Sequence, residues 1–205
     1  HGPLHGDLAD IRRTIDYSYH TNYSEKRSLW QDRLVLHVAQ RLMPQERPWV
    51  VFTGGAMGAG KGYVMKWLSK QNVFPLENVV RIDPDYFKMV MPEWEGYTKR
   101  DASTAGTLCH NESGFLQELA QEVAMRGNQN VCIDGSLKDH KWYTELFKDL
   151  RKRFPRYRVA IISVRCEIPK AVARAAERGQ QTGRHVPQEK IEKSAEESLE
   201  AVKVL

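Results

Sequence analysis

The residues with the most chemistry in them form a short glycine-rich stretch, Gly55-Ala56-Met57-Gly58-Ala59-Gly60-Lys61, which fits the spacing G-x-x-x-x-G-K. Glycines at this spacing let backbone N–H groups turn inward around phosphate oxygens, where bulkier residues would block them. A helix beginning at the lysine adds its positive N-terminal end, and Lys61 adds a full charge at the β- and γ-phosphates. The next position departs from the pattern. Gly62 stands where a Ser or Thr hydroxyl ordinarily ligates Mg²⁺, so a metal there would rely on phosphates, water and a nearby carboxylate.

Carboxylates suited to the other half of such chemistry follow two apolar runs. Asp83-Pro84-Asp85 comes after Val79-Val80-Arg81-Ile82, and Asp134-Gly135-Ser136 comes after Val131-Cys132-Ile133. Phosphoryl transfer to an alcohol needs one carboxylate to orient the hydroxyl and accept its proton, and another near the metal. Asp85 and Asp134 divide these roles. An aspartate with the ordinary pKa of about 3.9 is ionised at neutral pH, which is enough to orient an alcohol. Asp83 reads equally well as a helix cap. His110 is a secondary candidate for general base, since imidazole titrates near neutrality. Cations for the transferred phosphoryl group are offered by Arg174, Arg178 and Arg184. The first two are four apart and share a helix face, with Gly179 and Gly183 leaving room for a mobile turn before Arg184. Such a segment would close as a lid and exclude water, although Arg174 alone also reads as a solvated helix position.

The elements that must position these residues can be read from the apolar spacing. Trp49-Val50-Val51-Phe52, Val79–Ile82, Val131–Ile133 and Val159–Val164 are short apolar runs of the kind that form buried strands. Between them lie helical stripes: Val64, Met65 and Leu68 from about Lys61; Phe115, Leu119 and Val123, ending at Gly127; and Trp142, Leu146 and Leu150, with Asp139 as N-cap. Ile191, Ala195, Leu199 and Val202 form a closing helix with Pro187 near its start. Strands alternating with helices imply a parallel sheet covered by helices, an α/β fold. Ahead of this core, Trp30, Leu34, Val38 and Leu42 recur every fourth residue from Ser24 onward, so residues 1–48 read as a helical N-terminal extension packing on a domain spanning 49–205.

A chain of 205 residues supports one such domain with a substantial core, and 28% charged residues is ordinary for a globular protein. The net charge of +5 favours an anionic ligand without choosing among nucleotide, nucleic acid and acidic membrane. The cluster Arg151, Lys152, Arg153, Arg156 and Arg158 reads as the solvated end of a helix. Cys109, Cys132 and Cys166 lack CxxC spacing and are odd in number, which argues against disulfides or zinc and for a reducing cytoplasm. Cys132 and Cys166 sit in apolar runs and read as core. No run of 18 apolar residues is present, so no membrane span is expected.

The order of motifs resembles the zeta-toxin kinases. It runs from the phosphate loop to Arg81-Ile82-Asp83-Pro84-Asp85-Tyr86-Phe87-Lys88, then His110-Asn111-Glu112-Ser113, then Ile133-Asp134-Gly135-Ser136-Leu137. The resemblance covers about residue 49 to 203 and implies a P-loop NTPase-type three-layer sandwich with a mostly parallel sheet and an arginine-bearing lid. Family members use ATP and Mg²⁺ to phosphorylate a sugar hydroxyl, in several cases on UDP-N-acetylglucosamine. The resemblance therefore implies an ATP- or GTP-dependent phosphotransferase acting on a small polar metabolite such as a nucleotide-sugar. Asp85 matches the family's base, while Arg178 and Arg184 match its lid arginines. Asp83, His110, Ser113, Glu118, Asp134 and Ser136 fall on its substrate side, and Asp134 on its metal side. An antitoxin-like protein inhibitor is a candidate partner. Two other readings stay open: a catalytically weak nucleotide-binding module acting through a protein partner, which Gly62 supports, and a nucleic-acid end kinase. The lack of an aromatic-plus-basic stacking motif counts against nucleic acid.

Overall fold

A computed structural model describes residues 2–39, 42–74, 76–182 and 185–205. Strands β1 (Trp49–Gly54), β2 (Val80–Ile82), β3 (Val131–Ile133) and β4 (Arg158–Ser163) form one sheet in the order β2-β3-β1-β4. Every pairing is parallel, so each return crosses through a helix. After β1 come α3 (Lys61–Lys70) and, past β2, α4 (Pro84–Val90), α5 (Trp94–Leu108) and α6 (His110–Arg126). The helix α7 (His140–Arg153) follows β3, and α8 (Ile168–Thr182) and α9 (Gln188–Val204) follow β4. Two helices, α1 (Ala9–Arg12) and α2 (Glu25–Val38), precede the sheet.

Alternating side chains bury both faces of the sheet. Val50, Phe52, Val80, Ile82, Val131 and Ile133 meet Leu116, Leu119 and Phe147 on one face. Cys132 meets Met65 of α3 on the other. These are the three layers expected. Burial pushes the Cys132 thiol up to about 12, which leaves it inert as a core residue. Cys166 is only partly buried, at the edge of a smaller cluster, rather than core.

The basic cluster does not behave as one solvated helix end. Arg153 closes α7 but pairs with Glu122, whose side chain is 8% exposed. Arg158 opens β4, lies 4.1 Å over the Trp49 ring and donates to the Arg47 carbonyl at 2.6 Å.

The inward face of α2 is more polar than its apolar spacing suggests. Ser28, Gln31, Asp32 and Val35 are buried there, whereas Trp30, Leu34 and Val38 are only partly buried and Leu42 lies past the helix end. The reason is Arg12, 1% exposed, which ion-pairs with Asp32 and donates to the Ser28 carbonyl and to Gln31 Oε1, both at 3.1 Å. Arg27 bridges Glu93 and Glu112, and Gln31 also donates to Glu112. These bonds fasten the N-terminal helices to α5 and α6. Among the described residues, no helix is long and apolar enough to cross a membrane.

Candidate functional site

The loop between β1 and α3 is shaped by close backbone contacts. At Gly58, φ is +80°, and a Cβ would lie 2.1 Å from the Ala171 carbonyl oxygen of α8, so only glycine allows this approach. The helix α3 begins at Lys61 with Gly60 as N-cap and no side chain capping its first turn, so its leading N–H groups are available to an anion. Lys61 Nζ donates to the carbonyls of Gly55 and Ala56 at 3.1 and 3.4 Å, curled onto its own loop. Arg174 of α8 reaches over this loop, its Nη1 3.2 Å from where a Cβ on Gly60 would be.

A cavity of about 1040 Å³ opens beyond the carboxyl ends of the strands, where open parallel sheets place their ligands. It brings Met57, Lys61, Asp83, Asp85, His110, Asp134 and Ser136 together. A second cavity of about 460 Å³ shares Lys61, Asp83 and Asp134 and is bordered by Gly62.

Asp83 caps α4 by accepting the Asp85 N–H at 2.8 Å. Burial, and then the nearby Asp134 and Asp85 carboxylates, raise its pKa above the usual aspartate value. Asp85 stands in the first turn of α4, with Lys88 Nζ 3.3 Å from its Oδ1. Partial burial together with Lys88 and Lys138 lowers the His110 pKa against the pull of Asp85, so the ring is neutral at pH 7.

Asp134 is fixed by the sheet. Its N–H donates to the Ile82 carbonyl at 2.8 Å, and its Oδ1 accepts from the Thr53 hydroxyl at 2.5 Å. The following turn is pinned by Leu137, fully buried at φ +57° and packed against Gly54. A non-glycine residue in this conformation is held there by its surroundings.

Other candidates lie elsewhere. Ser113 is buried, and its hydroxyl donates to the His110 carbonyl inside α6 at 2.8 Å. Glu118 pairs with the buried His20 of the N-terminal segment at 3.1 Å. Neither lines either cavity. Arg178 is half-buried on α8 one turn beyond Arg174. Gly179 is buried inside that helix rather than in a turn, because α8 runs on to Thr182. Gly183 and Arg184 lie outside the described residues. Residues not anticipated also line the large cavity: Lys88, Lys138, Lys141, Lys190 and Lys193. They come from α4, the β3–α7 connection, α7 and α9, in three groups about fifty residues apart in sequence.

The glycine loop, the uncapped helix start and Lys61 fit the phosphates of a nucleotide. For Mg²⁺ the fit is narrower. Among the described residues no three His, Cys, Asp or Glu side chains gather as a metal site. Asp83, Asp85 and Asp134 are the carboxylates that line the cavity with Lys61 and could meet a metal otherwise held by phosphates and water.

The family model described as "Zeta toxin" matches residues 32–205, reaching back into α2. A solved structure from the molecular and structural characterization of the PezAT chromosomal toxin-antitoxin system of Streptococcus pneumoniae is similar at a TM-score of 0.66. It shares 18% identity, with 90% of this chain and 76% of that chain covered. A structure of the Pnkp1/Rnl/Hen1 RNA repair complex gives a TM-score of 0.49 at 18% identity, covering 78% of this chain and 47% of that one. A search of curated protein sequences gives no match.

Proposed function

This chain belongs to the zeta toxin family, whose members are kinases, and we propose that it transfers the γ-phosphate of ATP or GTP to a hydroxyl of a small polar metabolite. One observation carries the reading: the loop lysine Lys61 and the two carboxylates Asp85 and Asp134 line the same cavity. The loop N–H groups and Lys61 hold the nucleotide phosphates, with Arg174 and Arg178 of α8 supplying further positive charge. Asp85 orients the acceptor hydroxyl and takes its proton as the acceptor oxygen bonds to the γ-phosphorus. The bond to the β-phosphate oxygen breaks, and the nucleoside diphosphate leaves with that electron pair. Asp83 acts through its cap, fixing the turn that presents Asp85. Arg184 is assigned to the closing segment by sequence alone. Bound Mg²⁺ would neutralise charge on the β- and γ-oxygens, with Asp134 as its protein ligand.

The lysines of the cavity support an anionic acceptor, of which a nucleotide-sugar such as UDP-N-acetylglucosamine is one. Lys138, Lys141, Lys190 and Lys193 line that cavity with His140, alongside Glu196, Glu197 and Glu200, and offer charge-assisted hydrogen bonds to an acceptor's own phosphates. Ser136 and His110 add hydrogen-bonding groups. Glu118 would join them only if its pairing with His20 opened. By analogy with the toxin-antitoxin structure, an antitoxin-like protein is the expected inhibitor.

Incubation with γ-labelled ATP, Mg²⁺ and a panel of UDP-sugars, free sugars, nucleosides and oligonucleotides tests the proposal. Label on a UDP-sugar and not on the free sugar is the expected result. Label on oligonucleotide ends would replace the acceptor assignment. Nucleotide binding with no labelled product would favour a binding module impaired at Gly62.

A further inference from the structure

The hydroxyl missing after Lys61 has a counterpart at the end of β1. Phe52 pairs with Ile133 in the β1–β3 register, so the next residues, Thr53 and Asp134, meet just past the last pair of that ladder. Thr53 is 2% exposed. Its Oγ1 accepts the Gly135 N–H at 3.2 Å and lies 2.5 Å from Asp134 Oδ1. The carboxylate can only accept, so the hydroxyl proton must point to it. Buried hydrogen bonds to a charged acceptor are among the stronger ones. That bond restrains rotation of the Asp134 carboxylate, and its Oδ2 takes no hydrogen bond among the described residues.

We propose that Thr53 is a positioning residue that holds Asp134 in the orientation a Mg²⁺–nucleotide requires, compensating for the absent hydroxyl at Gly62. The proposal rests on the phosphotransfer reading only for the metal-side role of Asp134. Mg²⁺ demands near-ideal octahedral geometry and uses few protein carboxylates. With no hydroxyl at Gly62 and, among the described residues, no three His, Cys, Asp or Glu side chains gathered as a metal site, the orientation of one carboxylate carries more of the selectivity. Partners behind a metal ligand commonly change metal affinity by about 10–100-fold.

The test uses Mn²⁺ as a paramagnetic probe with a non-hydrolysable ATP analogue, so no turnover is needed. Thr53→Val keeps the shape and removes the hydroxyl, Thr53→Ser keeps the hydroxyl, and Asp134→Asn is the reference. Mn²⁺ affinity should fall about 10-fold or more in Thr53→Val and in Asp134→Asn. It should stay at the wild-type level in Thr53→Ser, while metal-free nucleotide affinity is unchanged throughout. A loss in Asp134→Asn but none in Thr53→Val overturns the role of Thr53 and leaves the Asp134 reading standing. Equal losses in Thr53→Val and Thr53→Ser would assign the effect to packing at position 53 rather than to the hydroxyl and overturn the proposal. No loss in any variant overturns both.

Discussion

Gly58 in the phosphate loop and Gly62 in the first turn of α3 should respond to alanine in opposite ways. A Cβ on Gly58 would sit 2.1 Å from the Ala171 carbonyl oxygen, at φ +80°. Ala171 is fully buried in α8, so neither side yields by rotating a side chain. The loop or the helix must shift by about 1 Å to reach van der Waals contact. Left-handed backbone with a Cβ costs roughly 1–2 kcal/mol, and forced overpacking adds about 1–3 kcal/mol. For a domain of this size that lowers Tm by at least about 5 °C. A displacement of 1 Å at the phosphate-holding loop lowers turnover about 10²-fold. A Cβ on Gly62 meets nothing within 4 Å. Gly62→Ala should therefore stabilise the fold by about 0.4–1 kcal/mol through the unfolded chain, a rise of about 1–4 °C. Calorimetric unfolding and nucleotide titration of both variants give the comparison. A Gly58→Ala protein with wild-type Tm and nucleotide affinity would refute the account of the loop.

Asp83→Asn keeps a good helix cap and removes a carboxylate whose pKa is raised in the fold. A raised pKa means that ionised Asp83 costs stability above the ordinary aspartate range. The variant should melt higher than wild type at pH 7, with the gain vanishing below about pH 3.9; a gain that persists at low pH contradicts this. His110 should titrate below the ordinary value of about 6.5 by NMR, and Lys88→Met should move it upward by removing a neighbouring positive charge; an unmoved resonance would remove Lys88 from the site's electrostatics. Arg12→Met leaves the buried Asp32 carboxylate without its partner and should cost about 3–5 kcal/mol in denaturant unfolding. Adding Asp32→Asn should recover part of that loss, and no recovery would contradict a charge-based penalty.

What could be read in the sequence depended on how local the signal was. The phosphate loop is contiguous, and Asp85 and Asp134 follow apolar runs, so motif and strand ends could be read together. The alternation that gave the sheet is equally local. Thr53 follows the apolar run of β1, and its one signal was a lone hydroxyl residue just before the glycines. The cavity lysines fall in three groups about fifty residues apart, and Lys88 and Lys193 come to one cavity only after the sheet has formed. Arg12, Asp32 and Gln31 are polar residues with no local signal of burial. Their burial arises because each satisfies another, a pairing across about twenty residues that composition does not encode. Gly179 signalled a turn locally, yet α8 continues through it.

Asp85→Asn tests the central assignment most directly, with nucleotide affinity and turnover measured on the same preparation beside Lys61→Ala. Asparagine should leave nucleotide affinity near wild type while turnover falls about 10²-fold or more, the usual scale for a general base; Lys61→Ala should lose both. Turnover unchanged in Asp85→Asn, or a parallel loss of nucleotide binding, would contradict the role of Asp85 as the acceptor's base.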